Sequence, residues 1–366
     1  MVKRFGWLQF CIPAVMLAVF LAVAAAPLIA QTVLCPAGTI CVTAWQQDSP
    51  SLCPGCAYRT GANLAETKIT NSSIQNGNFG QLCSAQLNGQ VYAQPLIVTN
   101  VQIPNLGTFD VAYVVTENDS VYAINATPPT TGNQCQILLG PVNLLLNNLK
   151  NQPTMSAVDC HHVGGSSACT QTIGPTIGVL GTPVINIDTT NNIGTLYLVA
   201  EMQSGTYPYL TYYHFLHALD ITTLHKGIGN ERPGAPVQIC PTVCGQYASS
   251  AFSEGHIQRP GLLFANCGST CGNYVYVSFS MMDGSGWPWH NGVVFAYNTA
   301  NLGGSYFYFQ TSNGRGDDTS YGGGIWMGGA APAFGPDKNG KNWIYVTTGN
   351  GVYNPNPTPP RQSKLG

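Results

Sequence analysis

Short apolar runs, each bounded by Gly, Asn or Pro, are spread along most of the 366-residue chain. The runs are rich in Val, Ile, Tyr and Phe, which is the composition of β-strands. The segment "NLLLNNLK" at 143–150 has apolar residues at helical spacing instead, and we interpret it as a helix that packs on the core. The pattern as a whole predicts an all-β protein with many turns.

A phrase of three apolar runs recurs in the same order along the chain. The first run follows an X-Pro sequence and occurs at Pro95, Pro183, Pro260 and Pro332. The second run is centred on a tyrosine and occurs at Tyr113, Tyr197, Tyr276 and Tyr345. The third run closes the first three copies and ends at Asn125, Asp220 and Asn298. Each copy predicts consecutive antiparallel strands joined by turns.

Sheets that recur about every 70–85 residues predict a β-propeller of four-stranded antiparallel blades. One such sheet cannot bury its own faces, so neighbouring sheets must pack face to face. A β-sandwich is the alternative, but it does not predict the same phrase in the same order. The fourth copy breaks off before the proline-rich tail, and prolines are excluded from central strands. We therefore expect an incomplete propeller with about three and a half repeats.

The chain divides into three segments. Residues 1–30 have the layout of a secretory signal peptide, with Lys3 and Arg4 before an apolar stretch that ends in small residues. A membrane anchor is the alternative, because 5–30 is nearly long enough to span a bilayer. Residues 31–81 form a cysteine-rich lead-in without a clear strand phrase. Residues 82–366 form the partial propeller, with an insertion between blades at 138–172.

Charged residues make up only 8% of the chain, against about a quarter in typical globular proteins. Removal of 1–30 would leave 11 Lys and Arg against 15 Asp and Glu, a net charge of −4. Without a basic patch, nucleic acid is not an expected partner. A membrane is expected only through an uncleaved signal segment, and the predicted location is secreted, periplasmic or extracellular.

The cysteines also indicate export. One of the 13 cysteines, Cys11, lies in the signal segment, which leaves 12. In an oxidising compartment, close pairs of cysteines are typical of disulfides that close small loops. The close pairs are Cys35 with Cys41, Cys53 with Cys56, Cys160 with Cys169, Cys240 with Cys244, and Cys267 with Cys271. Elimination leaves Cys83 to pair with Cys135.

The phrase "GTPVI…LYLV…HALD" resembles the repeat of propellers that bind pyrroloquinoline quinone (PQQ), the quinoprotein alcohol dehydrogenase-like group. It also resembles large secreted bacterial proteins with this repeat whose activity is unassigned. The resemblance covers about residues 85–353. In quinoprotein alcohol dehydrogenases a "GGG…W" segment supplies a tryptophan that stacks on the quinone, and the next strand ends in "GN". The resemblance therefore implies Trp326 as the cofactor platform, with Asn350 and Glu201 as calcium ligands.

The chain also departs from that family. No two cysteines are adjacent, whereas the family's alcohol dehydrogenases form a vicinal disulfide over the cofactor, and Asn350 is followed by Gly351 instead of the usual Pro. Packing between blades is the alternative role for Trp326. Close approach of strands near the axis is the alternative role for the glycines around it. A third hypothesis, a carbohydrate-binding or adhesive surface, depends on Trp287 and Trp289.

Besides this third hypothesis, the observations support two other functions. The first is a secreted PQQ-repeat-type propeller that acts as a binding or scaffold module for an unknown ligand or surface partner. The second is the N-terminal part of a calcium- and PQQ-dependent dehydrogenase of alcohols or sugars. No catalytic residue can be assigned from the sequence, because no nucleophile–base pair stands out.

Overall fold

The computed structural model of the chain describes residues 41–44, 69–77, 79–146, 154–162, 173–188, 191, 193–244, 247–266, 272–281, 292–311, 323–349 and 363–364. These residues are mostly β, and their strands form four successive antiparallel sheets and one small hairpin. The all-β prediction is confirmed.

Each of the first three sheets contains a four-stranded meander. The first sheet consists of β1 (Cys41–Ala44), β2 (Leu96–Ile103), β3 (Gly107–Val115), β4 (Ser120–Asn125) and β5 (Ile137–Asn143). The second consists of β6 (Ser156–Asp159), β7 (Thr176–Ile177), β8 (Val184–Asp188), β9 (Ile193–Thr206), β10 (Tyr209–Asp220) and β11 (Val237–Ile239).

The remaining elements follow in chain order. The small hairpin consists of β12 (Val243–Cys244) and β13 (Tyr247–Ala248). The third sheet consists of β14 (His256–Ile257), β15 (Leu263–Asn266), β16 (Asn273–Met281), β17 (Val293–Asn298), β18 (Tyr306–Gln310) and β21 (Ser363–Lys364), and the fourth of β19 (Ala333–Pro336) and β20 (Asn342–Tyr345). The described helices are α1 (Asn71–Gln75), α2 (Ser249–Gly255) and a 3₁₀ turn (Cys160–His162).

The recurring phrase of the sequence corresponds to the same strand pairing in every sheet. The first strand of each copy begins opposite the tyrosine of the second strand. The four equivalent pairs are Leu96 with Tyr113, Val184 with Tyr197, Leu263 with Tyr276, and Ala333 with Tyr345. The predicted strands are therefore present, and the first and second strands pair in one common register.

The sheets stack face to face, and the second sheet is buried on both sides. Side chains alternate between the two faces of a strand. In β9, Leu196 and Leu198 pack into the core shared with the first sheet, whereas Tyr197 and Val199 pack into the core shared with the third sheet. A further apolar cluster joins the third sheet to the fourth. This double burial explains why the strands carry apolar runs with little polar alternation.

Hydrogen bonds also link the segments that precede the first strands of successive copies. The main-chain N–H of Gln94 donates to the Thr182 hydroxyl (3.1 Å). The N–H of Leu262 donates to the Thr182 carbonyl (2.9 Å), and the N–H of Gly261 donates to the Ala330 carbonyl (2.8 Å). Equivalent parts of the four copies thus lie side by side in chain order.

The predicted insertion at 138–172 begins too early. Residues 137–143 form β5, which pairs with β4 and completes the first meander. Gly140 and Pro141 interrupt the apolar run and hid this strand, yet a proline is tolerated because β5 lies at the sheet edge. The predicted helix is also wrong over its described part, since 144–146 follow β5 without helical structure. Its expected packing role is present, because Leu144 and Leu146 are buried in the core.

The lead-in at 31–81 contributes more than the sequence indicates. Its residues 41–44 form β1, which pairs with β2 and extends the first sheet. Helix α1 is capped by Thr70, whose hydroxyl accepts a hydrogen bond from the Ser73 N–H (3.1 Å). The signal segment at 1–30 lies outside the described residues. No helix among the residues described is long and apolar enough to cross a membrane.

The structure contains the Cys83–Cys135 disulfide, which ties the segment between β1 and β2 to the connection between β4 and β5. Cys160 and Cys240 are also disulfide-bonded. The side chains of the other predicted disulfide cysteines lie outside the described part of the chain: Cys35, Cys41, Cys53, Cys56, Cys169, Cys244, Cys267 and Cys271.

Candidate functional site

Three polar residues and one glycine occupy equivalent positions in the second strand of each copy or just after it. Four positions beyond the repeated tyrosine, the copies carry Glu117, Glu201, Ser280 and Gly349. The segments that precede the first strands lie at 89–94, 177–182, 256–261 and 324–330. Main-chain hydrogen bonds join them to the chain at or next to Glu117, Ser280 and Gly349. We call the four positions and the four segments the second-strand end. It brings chemically different residues of all four copies into one region.

Glycines allow the segments to approach these strand ends closely. A methyl group at Gly178 would collide with the Glu117 carbonyl oxygen, and one at Gly324 would collide with the Ser280 hydroxyl. Gly324 also exchanges main-chain hydrogen bonds with the Gly349 region, where the Gly349 N–H donates to the Gly324 carbonyl (3.0 Å). The proposed role of these glycines in close packing therefore has a direct structural basis.

Trp326 lies in the interlocked segment that contains Gly324. Its side chain is partly exposed, and its indole Nε1 is 3.3 Å from the point where a Gly324 Cβ would lie. The preceding residue, Ile325, is fully buried and donates its N–H to the Phe279 carbonyl (3.4 Å). The segment is thus anchored by Ile325, whereas part of the indole faces solvent.

Arg259 is a functional candidate that sequence reasoning missed. Its guanidinium Nη1 donates to the Leu180 carbonyl (3.2 Å), and its Cζ is 3.6 Å from the point where a Gly328 Cβ would lie. Burial lowers the pKa of Arg259, against a smaller opposing effect of Tyr92. Among the described residues, no carboxylate forms an ion pair with it. The available signal was its place four residues before the first strand of its copy, where the first two copies carry Tyr92 and Leu180.

Glu201 lies in β9, opposite His214 of β10. Both side chains are buried, and His214 Nε2 is 3.2 Å from Glu201 Oε2. Phe279 packs against the His214 ring, with ring centroids 5.0 Å apart. Burial raises the pKa of Glu201, although His214 acts in the opposite direction. Glu201 Oε1 has no hydrogen-bond partner among the described residues. This carboxylate is therefore sequestered between the second and third sheets.

Several other predicted residues cannot be located at this site. Asn350 lies outside the described residues, directly after Gly349, as do Trp287 and Trp289. A separate group of possible metal ligands does lie in the described region, at 159–161, where His161 Nδ1 contacts Asp159 Oδ1 at 2.9 Å on the surface. The adjacent Cys160 is disulfide-bonded and has no free thiolate for a metal. Asp159 and His161 are therefore the two potential metal ligands of this group.

Comparison of the chain with protein-family models, with curated proteins and with solved structures finds no match. The fold and site geometry are therefore the basis for the functional conclusions that follow.

Proposed function

We propose that the protein is a secreted β-propeller of the PQQ-repeat type that binds a ligand at its second-strand end. Face-to-face stacking of successive four-stranded meanders supports the propeller, because each sheet packs on the next one in chain order. The hydrogen bonds between equivalent segments of neighbouring copies support it further, since an axis of rotation would relate such segments.

The observation that carries the ligand site is the guanidinium of Arg259. A partly buried arginine without a carboxylate partner retains N–H donors that can bind an anion. Its neighbour along the same surface is the segment of Trp326, whose partly exposed indole offers an aromatic face. A small planar molecule that carries carboxylates suits both groups. The protein then acts as a binding module at this site.

A PQQ-dependent dehydrogenase is the second candidate function. PQQ is planar and carries carboxylates, so Trp326 and Arg259 fit it. The calcium ligands inferred from the resemblance fit less well, because Glu201 is buried between sheets and one of its oxygens already lies against His214. The described residues thus support a quinone platform, and the calcium site stays a prediction because Asn350 lies outside them. No catalytic step is derived from them.

The test uses the full chain exported to an oxidising compartment and titrated with PQQ, citrate and glucuronate. We expect binding of at least one of these carboxylates, and Arg259→Gln should weaken it by about tenfold or more because a charged hydrogen bond is lost. Trp326→Leu should weaken binding of PQQ but not of citrate, which has no ring to stack.

Trp343→Phe is the matched control, because Trp343 is an exposed tryptophan of the fourth sheet that lies under Lys341. This variant should bind as the wild type does. If no carboxylate binds, or if Arg259→Gln binds each one normally, the proposed ligand site is wrong. Binding of citrate or glucuronate without binding of PQQ would reject the dehydrogenase and retain the binding module.

A further inference from the structure

The turn between β3 and β4 buries a carboxylate that has no partner. The turn spans 116–120, and the Thr116 N–H donates to the Ser120 carbonyl (3.0 Å). Asp119 adopts a positive φ of 50° in this turn, a conformation that Asp and Asn tolerate better than most residues. Its side chain is fully buried. Neither of its carboxylate oxygens has a hydrogen-bond donor among the described residues.

Further buried oxygens belong to the same turn as Asp119. The Glu117 carbonyl oxygen and Asp119 Oδ1 both lie against Gly178, where a Cβ would collide with them. The Thr116 hydroxyl and Glu117 Oε2 are also buried without a hydrogen-bond partner among the described residues. The segment of the second sheet that contains Gly178 is held here, because the Thr176 hydroxyl donates to the Glu117 carbonyl (3.2 Å). The oxygens therefore lie at the junction between the first and second sheets.

Among the described residues, no cation forms an ion pair with Asp119. Lys226 attracts the Asp119 carboxylate, but its ammonium donates a hydrogen bond to the Leu145 carbonyl (2.7 Å). Glu201 acts on Asp119 with the same sign of charge and repels it. A buried carboxylate without a donor is strongly disfavoured unless a cation or a proton accompanies it. Carboxylate, carbonyl and hydroxyl oxygens are the ligands that calcium prefers.

We propose that Asp119 binds a calcium ion at the junction of the first and second sheets, together with oxygens of Thr116 and Glu117. The ion links the β3–β4 turn to the segment at 176–178 and so stabilises the contact between the two sheets. The site does not use Glu201 or Asn350, and it is independent of ligand binding at Arg259.

The test is calorimetric unfolding of the exported full chain in EGTA and in excess CaCl₂. Calcium should raise the Tm of the wild type by several degrees, because a ligand that binds only the folded state stabilises it. Asp119→Asn should abolish the increase while it preserves the side-chain shape and the tolerance of positive φ. Asp110→Asn should retain the increase, since Asp110 is an exposed carboxylate of the same sheet.

Three further variants distinguish the calcium site from its neighbours. Glu117→Gln, which removes a less central carboxylate, should lower calcium affinity about tenfold in isothermal titration and serves if Asp119→Asn does not fold. Glu201→Gln and Arg259→Gln should retain the calcium effect.

A wild type that responds to neither calcium nor magnesium would overturn the proposal and leave Asp119 as a buried neutral acid. Calcium binding that survives Asp119→Asn, or that Glu201→Gln alone removes, would also overturn it. Failure of carboxylate binding at Arg259 leaves the calcium effect unchanged, so the two proposals fail separately.

Discussion

Two buried histidine–glutamate pairs lie on opposite faces of β10, and their surroundings differ. His214 faces the third sheet and meets Glu201 at 3.2 Å, but its Nε2 is not aligned for a hydrogen bond. His217 faces the first sheet and meets Glu231 at 2.9 Å through a hydrogen bond. Both pairs have side chains with almost no solvent exposure.

The difference lies in the number of donors that reach each carboxylate. Glu231 also accepts hydrogen bonds from the main-chain N–H groups of Ala218 (2.8 Å) and Gly227 (2.8 Å). Burial opposes its ionisation, but His217 and these donors outweigh burial and lower the pKa of Glu231. Glu201 lacks such a set, so burial prevails and raises its pKa. Equal burial thus gives opposite shifts because the hydrogen-bond environment differs.

The largest effect is expected for Glu231→Gln. The NH₂ group of the glutamine would face one of the donors that now bind the Glu231 carboxylate. The buried His217 would also lose its charged partner. We expect the free energy of unfolding to fall by about 3 kcal/mol. Urea denaturation at neutral pH measures this change. A loss below that of Glu201→Gln would contradict the ranking of the two pairs.

The contributions of Glu231 and Glu201 to stability should change with pH in opposite directions. Glu231, with a lowered pKa, stabilises the fold above the ordinary glutamate pKa of 4.5, and this contribution is lost as the pH falls through its folded pKa. Glu201, with a raised pKa, takes up a proton on folding between pH 4.5 and its folded pKa, so it lowers stability as pH rises.

The stability of Glu201→Gln relative to the wild type should therefore increase with pH above 4.5, by up to about 1.4 kcal/mol per pH unit. Urea unfolding of both proteins across this range provides the measurement, with Asp110→Asn as the exposed control. A flat or falling difference would show that Glu201 is ionised with an ordinary pKa in the fold.

The smallest effect is expected for Glu201→Gln at pH 4. The glutamine then replaces a protonated carboxyl of nearly the same shape, and only one contact to His214 changes. The free energy of unfolding should change by less than about 1 kcal/mol. A larger loss in urea unfolding at that pH would indicate that the Glu201–His214 pair is ionised and contributes as much as the Glu231 pair does.

The strands were predictable because their residues are strongly patterned. The runs around Tyr113, Tyr197, Tyr276 and Tyr345 form second strands that pair with first strands in one common register. The strand β5 was missed because Gly140 and Pro141 interrupt it, and β1 was missed because the four residues 41–44 carry no distinct phrase. Sequence pattern is informative where the apolar run is continuous, and weak where Gly and Pro interrupt a strand or where a strand has only four residues.

The site was less predictable than the fold. Trp326 and Glu201 were singled out through the resemblance, and both lie at the second-strand end, but only Trp326 is partly exposed. Arg259 and Asp119 were not selected, because an arginine before a proline or an aspartate in a turn is ordinary in a sequence. Arg259 is a candidate because it lies beside the Leu180 carbonyl and Gly328. Asp119 is a candidate because buried oxygens without hydrogen-bond donors lie in its turn.

The sequence by itself determined the all-β class, the order of the repeated strands and the segments in which glycine is required, since these depend on local composition and spacing. Tertiary structure decided which glutamate is stabilised in its ionised form, which arginine has no carboxylate partner among the described residues, and which aspartate is buried away from water. Those properties depend on donors and neighbours contributed by residues far apart in the chain, as when Lys226 and Gly178 meet the turn of Asp119. The local sequence pattern does not show which residues become such neighbours.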